Sequence, residues 1–313
     1  MKKIIVTGGS GFIGSNLVNY LIKKRCFVIN LDKLTYSSNK YNNGLRNNRN
    51  YKHFKVDIVN QKKLIEIIKK FKPKAIFNLA AETHVDRSID GPKNFIHSNI
   101  IGTFNILESL RFLQKKGIKP KLIHISTDEV YGHVIKNKSF NEKTKYNPRS
   151  PYSASKASAD HLVSAWNNTY GFKSTIINCC NNFGPNQNKE KFLPVIINKI
   201  LNKKNIPIYG NGKQKREWIY VDDFTNSLEF VIFKNLVKEN FVIGSGIRFE
   251  NKIIAKKIIS LFKNKLKFDC TKSKLISVKD RLGHDKEYKI DFSKIKKLDW
   301  KPKTNFRKGI KLT

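Results

Sequence analysis

The chain is short of acids, of sulfur and of long apolar runs. Only 24 Asp and Glu stand against 62 Lys and Arg in 313 residues, a formal net charge of +38. That excludes a charge-balanced surface and makes an anionic, phosphate-bearing partner a class to weigh. Yet Lys, Asn and Ile are heavy throughout, as in NNGLRNNRN and IINKILNKKN, and lysines fall on nearly every expected solvent face. The excess reads as compositional drift rather than a nucleic-acid patch, although it would draw in a small anionic substrate. The four cysteines, Cys26, Cys179, Cys180 and Cys270, form no C-x-x-C, and the adjacent pair cannot easily bridge itself. They exclude a disulfide framework and read as reduced, buried thiols. No His/Cys group has metal-ligand spacing, so no metal is expected. No run of about 18 apolar residues exists, so no membrane-spanning helix is expected. The basic tip MKK meets glycines before any long apolar stretch, which argues against a signal peptide and for a cytoplasmic protein.

What is present is an alternation. KIIVTG, CFVINL, YKHFKV, KAIFNL, KLIHIS and KSTIIN are near-continuously apolar and predict strands. Between them, helical spacing predicts helices over about 12–24, 61–71, 92–116 and 151–170, the last capped by Ser150 with Pro151 at its first position. Strand–helix alternation with strands apolar on both faces means a doubly wound parallel α/β sheet of Rossmann type. From Cys179 the rhythm loosens into long polar loops and helical patches near 193–202, 222–234 and 251–263. The expected division is a sheet domain at 1–178 and a smaller lobe at 179–313, with some segments returning to the main sheet. The Asn-rich loop 33–50 is expected to be ordered.

Two places carry chemistry. TGGSGFIGS sets Gly8, Gly11 and Gly14 between strand and helix, where backbone amides can approach a pyrophosphate. The second strand ends in Asp32, which can take both ribose hydroxyls of NAD and would repel the extra phosphate of NADP. Asp57, after the third strand, reads either as an adenine contact or as an ordinary helix cap. In SPYSASKASADH, Tyr152 and Lys156 lie four apart on one helix face. A lysine and a positive nicotinamide would favour the phenolate, and a shift of ~3 pKa units corresponds to ~4 kcal/mol. In HISTDEVYG, Asp128 and Glu129 stand side by side in a chain poor in acids. Neighbouring carboxyls whose pKa values are pushed apart can act as one acid and one base; a loop cap or a lysine-paired acid is the plainer alternative.

Together the glycine motif and Tyr-x-x-x-Lys resemble the extended short-chain dehydrogenase/reductase family. Finer stretches resemble its dTDP-glucose 4,6-dehydratase branch: LDKLTYSSN, NLAAETHVDRSI, HISTDEVYG, NPRSPYSASKASADHLV, NCCNNFGPNQNKEKFLP, IPIYGNGKQKREWIYVDD and DRLGHDKEYKID. The likeness runs from residue 2 to about 310. It implies that Tyr152, with Lys156, oxidises C4 of a glucosyl ring while hydride passes to NAD. Glu129 then removes the C5 proton, Asp128 protonates the departing C6 hydroxyl, and Thr127 lines the sugar. It implies cofactor contacts at Phe12–Ile13, Asp32, Lys33, Leu34, Thr35, Asp57–Ile58, Leu79, Ala80, Ala81, Thr83, Ser98 (threonine in the family) and Asn182. It implies nucleotide-sugar contacts at His84, Asn181, Lys191, Phe192, Pro207, Ile208, Tyr209, Arg216, Asn251, Arg281 and His284; cations suit a diphosphate by charge, and Arg also by bidentate geometry. Extended family members pair two helices across a twofold axis, so a homodimer through 92–116 and 151–170 is expected. The chain departs from the pattern at RLGHD, which loses a proline, at VIGS, at Arg248 and at its end, where the family's last helix is expected to be missing. Rival readings are a UDP-glucose 4,6-dehydratase, a 4-epimerase or decarboxylase on the same fold, and a polyanion- or RNA-binding protein on a reused fold.

Overall fold

A computed structural model describes residues 1–39, 41–134 and 138–313. Its centre is a seven-stranded sheet. Strands β1 (Lys3–Thr7), β2 (Phe27–Asp32), β3 (Tyr51–Lys55), β4 (Ala75–Asn78), β5 (Lys121–Thr127) and β6 (Ser174–Cys179) match the six expected from the sequence to within about a residue. All pairings among them are parallel. Because β1 alternates between the sheet's two faces, Ile4 and Val6 enter one layer and Ile5 the other. The first layer holds Leu17, Val18 and Leu21 of helix α1 (Phe12–Lys23); the second holds Leu64, Ile67 and Ile68 of α2 (Gln61–Phe71). The spacing of the α2 set is the apolar stripe of an amphipathic helix.

The run expected as one helix over 92–116 is interrupted. After α3 (Val85–Asp90), α4 (Lys93–Phe95) passes into a π-helical segment, Ile96–Ile101, and then into α5 (Gly102–Gln114). Gly102 sits where a Cβ would meet Ile58 at 2.4 Å, so this helix lies against the loop after β3. Helix α6 (Pro151–Tyr170) starts on a capping box between Ser150 and Ser153 and stops on Gly171, φ +67°.

The second part of the chain is a lobe with its own core. Strands β7 (Asn181–Phe183), β8 (Ile206–Tyr209) and β9 (Lys215–Tyr220) pack with α7 (Phe192–Leu201). Helix α8 (Val221–Phe233) and β10 (Asn240–Ile243) return to the main sheet, where β10 becomes a seventh parallel strand beside β6. Then β11 (Arg248–Glu250) pairs with β9, α9 (Asn251–Lys265) packs on α7, β12 (Leu275–Val278) pairs with β8, and α10 (Ser293–Lys296) follows. The chain's end, expected to lack a final helix, forms α11 (Phe306–Leu312). Seven residues cannot hold a helix alone in water; buried Phe306 and Ile310 anchor it in the lobe's core.

The strand order β3-β2-β1-β4-β5-β6-β10 reverses between β1 and β4. At such a switch point the loops leaving the carboxyl ends of neighbouring strands part and open a crevice. Every motif singled out above, except those of the lobe, lies at this end of the sheet.

Candidate active site

The glycine loop is shaped for close approach. Gly8 has φ +68°, and a Cβ on Gly14 would lie 2.1 Å from the Gly8 carbonyl oxygen. Gly11 precedes α1 with no side-chain cap, so the first helical amides keep no partner from a capping side chain. Asp32 closes β2, almost buried, and accepts hydrogen bonds from the amides of Ser10 (2.9 Å) and Leu34 (2.8 Å). Beside it lies a narrow cleft.

Eleven expected cofactor residues line that cleft: Gly8 and Gly11, then Asp32, Lys33 and Thr35, then Asp57 and Ile58, then Leu79, Ala80, Ala81 and Ser98. Phe12, Ile13, Gly14, Leu34, Thr83 and Asn182 do not line it. Asp57 is not the cap of α2. Asn60 takes that role, and Asp57 accepts from the Val59 amide instead. Lys33 spans the crevice, donating to Ser98 Oγ (3.0 Å) between Asp57 (3.6 Å) and Glu82 (3.9 Å). Glu82, inside the matched stretch NLAAETHVDRSI, and Val56, the last residue of the expected strand YKHFKV, also line the cleft.

The structure has features that fit NAD. The tight glycine cradle and the uncapped start of α1 suit a pyrophosphate, and the Asp32 carboxylate at the cleft suits a diol. Asn182, on β7, donates to the Cys180 carbonyl at 3.0 Å and leaves its own carbonyl oxygen buried without a partner.

Asp128 and Glu129 open a 3₁₀ turn, Asp128–Tyr131, as β5 ends. Thr127 Oγ1 accepts from the Glu129 amide (3.2 Å) and donates to Asp128 Oδ1 (3.3 Å), so it holds both neighbours. Asp128 is 1% exposed, with Oδ2 unpartnered. Burial pushes its pKa well up, and the charges of Glu129 and Glu217 push it further. Glu217 is itself a buried acid, accepting from the amides of Ser245, Gly246 and Ile290. Half-buried Glu129 is also pushed up by burial, but Arg216, Arg281 and Lys191 all act against the rise. Burial raises both acids and Arg216 opposes the rise at each; the like charges of Glu129 and Glu217 add to it at Asp128, whereas Arg281 and Lys191 oppose it further at Glu129.

Tyr152, on the first turn of α6, is nearly buried. Its electrostatics differ from the sequence expectation. Burial and the neighbouring Glu129 raise its pKa, opposed by the hydrogen bond with Thr127. Lys156 donates to the Ile125 carbonyl at 2.7 Å, which anchors its ammonium beside β5 with further donors to spare. Burial lowers the Lys156 pKa, and Asp160, one turn on, raises it. Asp160 is a hub the sequence reading missed. It accepts from Ser126 (2.7 Å), Tyr146 (3.0 Å) and Asn178 (3.1 Å) and lies 3.3 Å from His124.

Across the cleft, Arg216 is held by the carbonyls of Lys215 (2.9 Å) and Asp285 (2.8 Å) and stacks on Tyr288. Arg281 makes a two-pronged pair with Asp86, at 2.6 and 3.1 Å, and Tyr209 also donates to Asp86. Lys191 donates to the Thr83 carbonyl, and burial lowers its pKa to about 8. His84 lies 3.9 Å from both Asp86 and Glu190; burial and Lys191 lower its pKa. His284 pairs with Asp280 at 2.6 Å. Asn251 has a buried, unpartnered side-chain oxygen, and Asn181 is half-buried on β7. Phe192 and Ile208 are not offered to a ligand in the same way: their side chains join the lobe's core, and Pro207 pairs with Ile276 between strands.

The departures from the family pattern have local partners. Ser245 of VIGS donates to the Trp218 carbonyl and accepts from the Ile247 amide. Arg248 pairs with Glu287, and Leu282, in the proline's place, is exposed.

A family model described as GDP-mannose 4,6 dehydratase matches residues 5–313. The chain is 42% identical to a dTDP-glucose 4,6-dehydratase of Haemophilus influenzae, covering 100% of this chain and 97% of the relative. It superposes on a Bacillus anthracis dTDP-glucose 4,6-dehydratase in complex with NAD, with TM-score 0.88 and 37% identity over 99% of this chain and 94% of the other. For a Streptomyces venezuelae dTDP-glucose 4,6-dehydratase with NAD bound, the TM-score is 0.90 and the identity 34%, over 98% and 94%. With a sheet of this order, a glycine cradle and a Tyr-x-x-x-Lys helix facing an Asp-Glu turn, the chain belongs to the GDP-mannose 4,6 dehydratase family and, within it, groups with the dTDP-glucose 4,6-dehydratases.

Proposed function

We propose that the protein is an NAD-dependent nucleotide-sugar 4,6-dehydratase, a hydro-lyase that converts dTDP-glucose to dTDP-4-keto-6-deoxyglucose. The observation that carries this reading is the contrast between adjacent Asp128 and Glu129. Elimination of water needs a base and an acid at once, about one sugar carbon apart. Glu129, among Arg216, Arg281 and Lys191, is suited to take the C5 proton. Asp128, kept protonated by burial and by two acids, is suited to give its proton to the departing C6 hydroxyl. Tyr152 takes the proton of the C4 hydroxyl when the ring is oxidised; because the product keeps the 4-ketone, that proton is released to solvent and not returned to C4. When bound, NAD supplies the two-electron acceptor that stores the hydride and gives it back. The raised phenol explains why a positive charge is needed beside it before it ionises. Gly8, Gly11, Gly14 and Asp32 would hold the cofactor, and Asn182 would meet its nicotinamide side.

The division of labour follows the fold. Residues 1–178 carry the cofactor cleft and the reacting groups, and residues 179–313 mainly hold the nucleotide diphosphate. Arg281, Arg216 and Lys191 supply the charge, and thymidine is favoured over uridine by the relatives' shared name. A homodimer is supported by Ile96, Ile101, Phe104 and Phe112, which stay exposed along the run from the π-helical segment through α5. Phe104 meets Trp166 of α6 edge-on, so the two helices present one apolar face. No helix among the described residues is long and apolar enough to cross a membrane, in keeping with a cytoplasmic enzyme.

Incubation with dTDP-glucose and with UDP-glucose, followed by alkali, tests the reading. The absorbance of a 4-keto sugar should develop with the thymidine substrate. Its absence with both, in protein that retains NAD, overturns the assignment. Sedimentation velocity tests the dimer.

A further inference from the structure

Away from the active site, the amino end of the main sheet carries a second constellation. Four neighbouring strands, β6, β5, β4 and β1, start on or just after a lysine: Lys173, Lys121, Lys74 and Lys3. The backbone stitches them into a row: the Lys74 amide donates to the Lys3 carbonyl (2.8 Å), the Lys121 amide to the Lys74 carbonyl (3.1 Å), and the Leu122 amide to the Lys173 carbonyl (3.2 Å). Adjacent strands lie ~4.8 Å apart, so the row crosses three strand spacings, about 14 Å.

Next to it is a cavity of ≈ 690 Å³ walled by Lys2, Lys24, Arg25, Lys72 and the Phe233 ring, with Lys3 and Lys74 at its edge and no carboxylate in its lining. Of the acids nearby, Glu229 pairs with the cavity's own Lys24 and accepts from Tyr20, and Glu239 pairs with Lys294. Among the described residues no ion pair forms at Lys3, Arg25, Lys72, Lys74 or Lys173, all exposed. The crowding is felt within the row: burial and the charges of Lys74, Lys173 and Lys2 lower the pKa of Lys121. Helix carbonyl ends draw one or two cations each, which accounts for Lys24 and Lys72. It does not account for four lysines at strand starts.

We propose that this end of the sheet binds a linear chain of phosphate groups, whether a single-stranded nucleic acid or an inorganic polyphosphate. Lys3, Lys74 and Lys173, exposed and without ion pairs among the described residues, flank half-buried Lys121, which donates to Asn235; such a row beside an open cavity matches a string of anions, and each contact releases a condensed counterion. The site is independent of the dehydratase reading, since it lies at the opposite end of the strands from Glu129 and Tyr152.

The test compares two triple variants of equal charge change in the full chain. One is Lys72→Glu, Lys74→Glu and Lys173→Glu; the other is Lys256→Glu, Lys263→Glu and Lys265→Glu on α9, all exposed. Binding of fluorescent oligothymidylate and of labelled polyphosphate is followed across a salt series. The first triple should lose about tenfold or more in affinity, and its slope of log K against log salt should become shallower by about two. The second should lose less than about twofold. The corresponding Lys→Gln triple, milder for folding, should shift in the same direction. Whichever probe binds tightly identifies the source of the phosphates. Equal losses in both triples, or no saturable binding of either probe by the parent, overturn the proposal. Dehydration of dTDP-glucose should be unchanged in both triples, so failure here leaves the enzymatic reading standing.

Discussion

The two ends of the central sheet differ in electrical character. At the carboxyl end, acids and cations interleave: Asp32, Asp57, Glu82, Asp86, Asp128 and Glu129 face Lys33, Lys191, Arg216 and Arg281. At the amino end, lysines line up with almost no acid between them. The backbone contributes to both. Helix amino termini, with partial positive charge, gather where the strands end, and helix carboxyl termini gather where they begin. A chain with few acids thus places several where a cofactor diol, a substrate-binding Lys or Arg, or a proton needs a carboxylate. The other end is left to lysine, limited only by mutual repulsion.

The comparison breaks most sharply at Glu129. Glu129→Gln should lower dehydration about 10³-fold, the upper part of the range for general-base loss. NAD should stay bound, and solvent deuterium should no longer enter C5 by mass spectrometry. A variant that still dehydrates normally shows that the base lies elsewhere. Next in size is Gly14→Ala. A methyl group 2.1 Å from the Gly8 carbonyl must distort the cradle, so NAD released on heat denaturation should fall by about tenfold or more, while circular dichroism stays near that of the parent.

A smaller effect, of opposite sign for activity and stability, is expected at Asp128. Its pKa is raised in the folded state, so the folded protein binds the proton more tightly than the unfolded chain does. That stability is fully present below the unfolded value of about 3.9 and is lost as pH rises through the folded one. Asp128→Asn should therefore melt a few degrees higher than the parent at pH 8, about 2–4 °C per kcal/mol at this size. The gain should vanish near pH 4, and turnover should fall about 10²-fold. A melting difference independent of pH would show that Asp128 is ionised in the fold. The smallest effect sharpens the contrast from the other end: Lys74→Gln should leave kcat/KM within about twofold, because nothing at the strand starts reaches the chemistry.

Much of the fold was legible from local pattern. The strands of the first half are apolar on both faces, the glycines stand between strand and helix, and Ser150-Pro151 marks the start of α6. The seventh strand was not so plain: NFVI is four residues long and joins β6 only after a detour through the lobe. The π-helical segment at 96–101 carries no breaker that announces it. At the site, the residue types were readable but their electrical states were not. One donor of Lys156 goes to the Ile125 carbonyl, and burial and Glu129 raise the Tyr152 phenol, neither of which a motif announces. Asp160, Glu217 and Asp86 lie inside the matched stretches but carry no signal of their own there, because what they do depends on partners distant in the chain.

By itself, the sequence determined which side chains could do chemistry, and at which strand end, since a strand's period and a helix's cap are local properties of a few residues. The tertiary structure decided how deeply each of the two adjacent carboxyls is buried and which charges surround it, where the lysine beside the tyrosine points, and how the cations are shared out. Burial and charge–charge energies depend on distance in space, and residues 128, 216, 217 and 281 come close only when the lobe folds back over the end of β5.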